Sequence, residues 1–419
     1  MSNVTNLEKA AEKLARQGKR SGKKSAGGFD ANGRRVIRLE PGRLSENVDE
    51  TAAALADADN NLFTHAARIV HIYAAPKSTR NGITRARGAL VLHPVDSAHL
   101  SELAGRAAIY ERYDARSEDY RICDCPRRLA DAYLSRGNWP ELRALAGFVE
   151  APTVTLEGRL IDQPGYDQET GLFLAFDCIQ DYTPPPARPT IEQVKKAVCY
   201  LLESVNGFPF VDDSDRSAFL AGVMTGLLRR ILPAAPMSAI TAPSPGTGKT
   251  LIAETFAVIS TGRRACVLSL GHDDAESEKR MAGVLMAGDA CIVLDNIERP
   301  LKSDLLCQVC TQQFVRLRPL GGSGMVSIPT HAQIVATGNN LAIGGDLPRR
   351  TALIRMDAGQ ERPEQRSFDR DHLEYVQTHR GELIRAALTI TLAYLGAGAP
   401  AIPGLHPLGG FEHWDRMVR

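Results

Sequence analysis

The chain has 419 residues, 43% hydrophobic and 24% charged, with a formal net charge of +1. That length accommodates two or three domains with their own cores, and the composition is that of a globular protein rather than a disordered or fibrous one. Near-neutral charge confines any nucleic-acid surface to a local patch, and no apolar run reaches the roughly 18 residues that span a bilayer. The charged N-terminus has no apolar signal core, so a cytoplasmic location with no membrane partner is expected. Eight cysteines fit a reducing compartment. Cys123/Cys125 and Cys307/Cys310 are close pairs, but no histidine accompanies either. They read as buried or incidental thiols rather than zinc ligands.

In chain order, residues 1–44 begin with the basic stretch "KLARQGKRSGKKSAGG". They predict a disordered tail, which is either simply solvated or in contact with nucleic-acid phosphates. Residues 45–180 predict a smaller accessory α+β domain that binds DNA or a partner. In it "LFTHAARIVHIY" and "ALVLHPV" read as strands, and "HLSELAGRAAIYERY" and "RRLADAYLSRG" as helices. "TVTLEGRLIDQPGYDQETGLFLAF" reads as short strands joined by turns, and no paired strand-end carboxylates mark a metal site. "DYTPPPARP", residues 181–189, predicts a stiff linker and the domain boundary.

Residues 190–419 predict an α/β domain. Two helical patterns come first, "TIEQVKKAVCYLLESV" and "SDRSAFLAGVMTGLLRRIL", the second with Ser214 or Asp215 as N-cap. "MSAIT", "RACVLSL", "DACIVLD", "HAQIVATG" and "RTALIRMD" follow as strands with helices between the earlier ones, which implies a mainly parallel sheet covered on both faces.

Between "MSAIT" and the next helix lies "TAPSPGTGKTLIAETFAV". Gly246, Thr247, Gly248, Lys249, Thr250 and Leu251 have the makings of a phosphate loop at a helix N-terminus. Glycines allow the backbone N–H groups to turn onto an anion, lysine reaches the β- and γ-phosphates, and the threonine hydroxyl suits magnesium. The pattern's usual first glycine is Pro243 here, at the start of the loop. This substitution is expected to alter loop conformation more than phosphate contact. Asp295 ends the apolar run "CIVL", a strand-tip carboxylate suited to holding magnesium with Thr250. "HAQIVATGNN" ends in Asn339 and Asn340, which are either turn residues or, for Asn339, an amide that orients the attacking water. Arg350, with Arg349 beside it, precedes the last strand, where an arginine can reach a neighbouring subunit's γ-phosphate.

The order of these motifs resembles the AAA+ ATPases, and more narrowly the superfamily III helicase-like ATPases of phages, plasmids and integrated elements, including bacterial primase/helicase-type replication proteins. "LEGRLIDQPGYDQETGLFL", "DDAESEKRMAGVLMAGDACIVLDN", "QVCTQQFVRLRPLGGSGM" and "GGFEHWDRMVR" extend the resemblance over most of residues 60–419. It implies an AAA+-type fold with helical lid elements, the cofactors ATP and Mg2+, a ring that is usually hexameric, and movement on single-stranded or forked DNA beside other replication proteins. "DRDHLEYVQTHRGELIRAALTITLAYL" would supply lid helices. Similar proteins continue beyond the segment that ends at Arg419, so a C-terminally shortened ATPase domain is expected.

"FVRLRPL" and "MVSIP" predict a hairpin around Gly321, Gly322, Ser323 and Gly324, with Arg316 and Arg318 on one face of its first arm. In the resembling helicases such a hairpin tracks DNA. With no aromatic at its tip, contact is expected to be to phosphates. Otherwise it is a solvated basic hairpin. Three functions stay open: an ATP-driven DNA helicase or translocase, an AAA+ switch that recruits a replication or transposition partner, and a degenerate remnant that binds ATP without turnover.

Overall fold

The computed structural model describes residues 28–419 except 32, 59–60, 177–178, 272, 319–324, 361, 366–368, 403 and 405. The basic stretch within residues 1–27 and the expected turn at 321–324 therefore lie outside the described residues. The described residues fold as two compact units, one from within 28–60 and 96–141, the other from within 61–95 and 142–419.

The second unit is built on a seven-stranded sheet. Its strands are β1 (Ser78–Arg80), β2 (Ile83–Arg85), β3 (Met237–Ala242), β4 (Cys266–Leu268), β5 (Cys291–Leu294), β6 (Gln333–Asn339) and β7 (Thr351–Arg355). They lie in the order β7-β3-β6-β5-β4-β2-β1. From β7 to β4 every pairing is parallel, and β2 adds antiparallel to β4, followed by β1. The helices that serve this sheet are α1 (Ile191–Ser204), α2 (Asp213–Leu228), α3 (Lys249–Thr261), α4 (Asp274–Ala287), α5 (Asp304–Thr311), α6 (His372–Thr378), α7 (Arg380–Gly396) and α8 (Glu412–Met417). All four residues of β5 are buried, as are five of the six in β3, which explains their unbroken apolar sequences.

Local signals set most of these elements. Thr190 and Gln193 close a capping box on α1. On α2 the N-cap is Asp212 rather than the expected Ser214 or Asp215, because Asp215 sits at the third helical position and returns a bond to the Asp212 backbone N–H. Cys307 and Cys310 lie on α5, and among the described residues no group of three or more His, Cys, Asp or Glu side chains is arranged to hold a metal. No described helix is long and apolar enough to cross a membrane.

Residues 61–95 and 142–180, expected in a separate domain ahead of the 181–189 segment, belong to the same compact unit as 190–419. The reason is long-range pairing. β2 zips onto β4 through Ile83–Leu268 and Thr84–Val267, and Arg85 grips the buried Asp289 carboxylate with Nε at 2.9 Å and a terminal nitrogen at 2.6 Å. A three-stranded antiparallel sheet (62–65, 68–75 and 89–94) joins Phe148 and Leu145 in a satellite core of Phe63, Val70, Ile72 and Leu92.

The first unit is α+β. Arg35–Leu39, expected within the disordered tail, is a strand parallel to Ala108–Asp114, which pairs antiparallel with Asp119–Cys123. Ile37 and Tyr110 are buried in its core with Leu55 of the helix Leu44–Asp57. The expected helix "HLSELAGRAAIYERY" stops at Ala107 and becomes the strand 108–114, where β-favouring Ile109, Tyr110 and Tyr113 override the helical pattern.

Candidate functional site

The parallel strands bring a group of polar side chains together at their C-terminal ends. β3 stops at Ala242, the loop 243–248 follows, and α3 starts at Lys249. Gly246 has φ 76° and Gly248 φ 99°, so the two left-handed positions of the loop are both glycines. Gly248 is also closely approached, since a Cβ there would lie 2.7 Å from the Phe208 ring. Pro243 is not among the positive-φ residues, so that position has no conformational need for glycine. Its carbonyl instead accepts from Asn340 Nδ2 at 3.4 Å.

Lys249 Nζ donates to the Ser244 carbonyl at 3.0 Å and to Thr247 Oγ1 at 3.2 Å, which holds the ammonium inside the loop. Partial burial lowers its pKa, and the nearby Asp295 carboxylate works against that. Leu251, half-buried in the first turn of α3, packs against the main core. The N–H groups of that turn lack intrahelical acceptors, as at any helix start, and suit an anion.

Asp295, directly after β5, accepts from Thr337 Oγ1 at 2.7 Å and from Thr250 Oγ1 at 3.3 Å. Thr337 is the pivot: its hydroxyl also accepts from the Asn296 N–H at 3.1 Å, and its carbonyl from the Ile297 N–H at 2.8 Å. Asn296 has φ 53°, which turns the chain across the tip of β6, where a Cβ on Gly338 would lie 2.6 Å from the Ile297 carbonyl. Asn339 ends β6 in register with Ala242, exposed at the root of the loop. Asn340, at φ 46°, anchors its own N–H on the Ala242 carbonyl at 2.9 Å.

Sequence reading missed Thr337, although a threonine within the apolar run "QIVATG" is the kind of buried polar residue that asks for a partner. It also missed the brace behind the loop. There Phe208 meets His372 edge-on at 4.7 Å between ring centres, and His372 Nε2 shares a 2.6 Å hydrogen bond with Thr255 of α3. Burial pushes the His372 pKa down to about 4.

The remaining predicted residues lie elsewhere. Arg349 and Arg350 form a short 3-10 turn before β7, and Thr351 pairs with Met237 at the start of β3. They therefore stand at the end of the sheet opposite their own loop. Both hold Asp346, at 2.6 and 2.5 Å, but the Arg349 side chain is 70% exposed and that of Arg350 only 17%. Arg316 lies exposed on the hairpin arm Phe314–Leu317, which pairs antiparallel with Val326–Pro329, and Arg318 follows, exposed, just past the arm. This hairpin leads into the start of β6, also at the end opposite the loop.

No protein family matches the chain, and no curated protein does. Several solved structures show similarity at 14% identity. The apo A form of the NrS-1 C-terminal region aligns over 70% of this chain and 69% of its own, with a TM-score of 0.38. The SCCmec type IV Cch active helicase aligns over 81% and 64%, with a TM-score of 0.27. JCV helicase with a bound inhibitor aligns over 54% and 66%, with a TM-score of 0.25. Similarity at that level carries no weight for fold or function, which rest on the chain's own geometry.

Proposed function

We propose that this chain is a Mg-ATP-dependent DNA helicase or translocase of the AAA+/superfamily III kind, working as a homo-oligomeric, hexameric ring in the replication of a mobile element. The observation that supports it is the meeting, at one end of the parallel strands, of the Lys249 ammonium, the Thr250–Asp295–Thr337 hydroxyl–carboxylate chain and the Asn339 amide. Ligands bind at this end of open α/β sheets, outside the carboxyl ends of the strands.

In this reading, Gly246 to Leu251 wrap the triphosphate and Lys249 balances charge on the transferred γ-phosphoryl group. Thr250 Oγ1 and the Asp295 carboxylate, hard oxygen donors already 3.3 Å apart, suit Mg2+. An ion held by these two residues would supply charge neutralisation for the phosphate groups. Thr337 keeps Asp295 oriented, and Asn339 orients the water that attacks the γ-phosphorus. The bond to the β-phosphate oxygen breaks, leaving ADP and phosphate. Arg349 is the stronger candidate for an arginine acting on a neighbouring subunit, because it is exposed and remote from its own loop, whereas Arg350 is mostly buried. β6 links the two functions directly, since it runs from the hairpin to Asn339.

The test is ATP hydrolysis with and without single-stranded DNA, followed by strand displacement on a forked duplex. DNA-stimulated turnover with displacement is expected. Turnover that ignores DNA and displaces nothing moves the recruiting-switch function ahead.

A further inference from the structure

A water that attacks phosphorus must lose a proton as it bonds, and a positioned carboxylate is a common acceptor. The residues gathered so far at the loop end do not provide one. Lys249 is a cation, Thr250 and Thr337 are neutral hydroxyls, and the Asn339 amide can orient a water but has no basic site. Asp295 is already engaged by two hydroxyls and is the carboxylate suited to the ion. The position directly after it is Asn296, again an amide.

The backbone brings in a carboxylate two residues further on. Asn296 takes the left-handed conformation at φ 53°, and its N–H is held on Thr337 Oγ1 at 3.1 Å. That turn lays Ile297 across the tip of β6. Its N–H donates to the Thr337 carbonyl at 2.8 Å, and its own carbonyl would lie 2.6 Å from a Cβ on Gly338. Leu301 then donates its N–H to the Ala342 carbonyl at 2.8 Å, so residues 297–301 run beside 337–342. Ile297 is buried, and Glu298 follows it, exposed, next to the Gly338–Asn339 end of the strand. β6 lies between β3, which leads into the phosphate loop, and β5, which leads into Asp295. Its tip is therefore the central one of the three.

Glu298 Oε1 accepts from Asn296 Nδ2 at 3.2 Å, which restrains the carboxylate through a neutral partner that a water can replace. Other carboxylates at this end are bound to arginines: Asp212 and Asp215 to Arg355, and Glu276 to Arg280.

We propose that Glu298 is the general base of the hydrolysis, with Asn296 as the residue that positions it. As the water oxygen bonds to the γ-phosphorus, one of its O–H bonds breaks and the proton passes to a Glu298 carboxylate oxygen. The bond from the γ-phosphorus to the bridging oxygen breaks, its electron pair stays on ADP, and Glu298 releases the proton to solvent. The assignment rests on the Mg-ATP reading and adds to it the proton acceptor that Asn296 cannot be.

The experiment compares the full-length wild type with Glu298→Gln, Glu298→Ala and Lys249→Ala. It measures ATP turnover and, separately, the affinity for a fluorescent ATP analogue. Glu298→Gln is expected to lower turnover about 10²–10⁴-fold, the range of a positioned base, with analogue affinity unchanged. After mixing with radiolabelled ATP and rapid desalting, Glu298→Gln should retain ATP where the wild type retains ADP. Formate, a small carboxylate that fits the space opened in Glu298→Ala, should restore part of the lost turnover there and none in Lys249→Ala. If Glu298→Gln turns over like the wild type while Lys249→Ala is inactive, the base assignment is overturned and the Mg-ATP reading stands. A loss of turnover matched by an equal loss of analogue affinity makes Glu298 a binding residue and also overturns the assignment. So does a loss that formate leaves unrepaired, which would leave Glu298 a positioning role alone. A wild type without turnover, or a Lys249→Ala variant as active as its parent, overturns the Mg-ATP reading and the assignment together.

Discussion

At the C-terminal end of the parallel strands, small hydroxyls and amides hold one another. Thr337 and Thr250 share Asp295, Asn340 holds Pro243, and the Thr241 hydroxyl accepts from the Leu341 N–H at 2.9 Å. At the opposite end, the holding is done by buried guanidinium groups on backbone carbonyls. Arg229 grips three of them, and Arg230 reaches the Gly288 carbonyl and lies over the Phe148 ring. Burial lowers the pKa of Arg229 to about 10, so it stays charged at neutral pH with no carboxylate among its bonded partners. The difference has a physical basis. In the proposed function the loop end would exchange its contacts for a polyanion, and weak, replaceable bonds suit that. In the proposed motor the hairpin end would transmit force, and three charge-assisted bonds from one planar group resist displacement.

The sharpest way to break this contrast is at the charges assigned to chemistry. Arg349→Ala is expected to lower turnover by about 10³–10⁵ while sparing ATP binding, the range for an arginine acting across an interface. Mixing it with Lys249→Ala should recover part of the hydrolysis in rings that contain both. The same experiment with Arg350→Ala should give the weaker phenotype, because its side chain is largely covered; the reverse ranking would exchange their roles.

Thr337→Val tests the loop end more gently. It removes the hydroxyl under Asp295, and hydrolysis should fall about 10- to 100-fold, as when the outer partner of a metal ligand is lost. Nucleotide affinity measured without magnesium should hold. At the hairpin end, Arg229→Ala leaves three buried carbonyls without a donor and should cost about 3 kcal/mol or more, read from chemical denaturation. A loss below about 1 kcal/mol would mean that water or relaxation replaces the clamp.

The brace behind the loop predicts a pH effect. His372 is depressed from its ordinary 6.5 to about 4 by burial. Between those values the unfolded chain binds a proton that the folded chain refuses, so this contribution is complete above about pH 6.5 and is lost as pH falls towards 4. Its size is on the order of 3 kcal/mol. His372→Asn should flatten that limb of the stability profile, and an unchanged profile would exclude His372 as its source. The smallest effect belongs to the arginine pair. Arg316→Ala with Arg318→Ala should reduce the salt slope of DNA binding by about one to two.

Much of the loop end was legible in the sequence because its requirements are local. Glycine where φ is positive, a lysine and threonine at a helix start, and an aspartate closing an apolar strand are all set by neighbours along the chain, as Gly246, Lys249, Thr250 and Asp295 illustrate. The alternation on the first hairpin arm was legible for the same reason, since a strand's side-chain period does not depend on what it packs against.

Tertiary structure decided what required distant partners. The pairing of Ile83 with Leu268 and the grip of Arg85 on Asp289 drew an upstream segment onto the sheet, across a separation that no local pattern encodes. Packing left Arg350 mostly buried and Arg349 exposed, although the two are identical neighbours in sequence. It also chose which hairpin face to bury, and so left Phe314 in water beside Arg316. Period-two alternation assigns residues to two faces; only the core that one face meets determines which of them is free to bind.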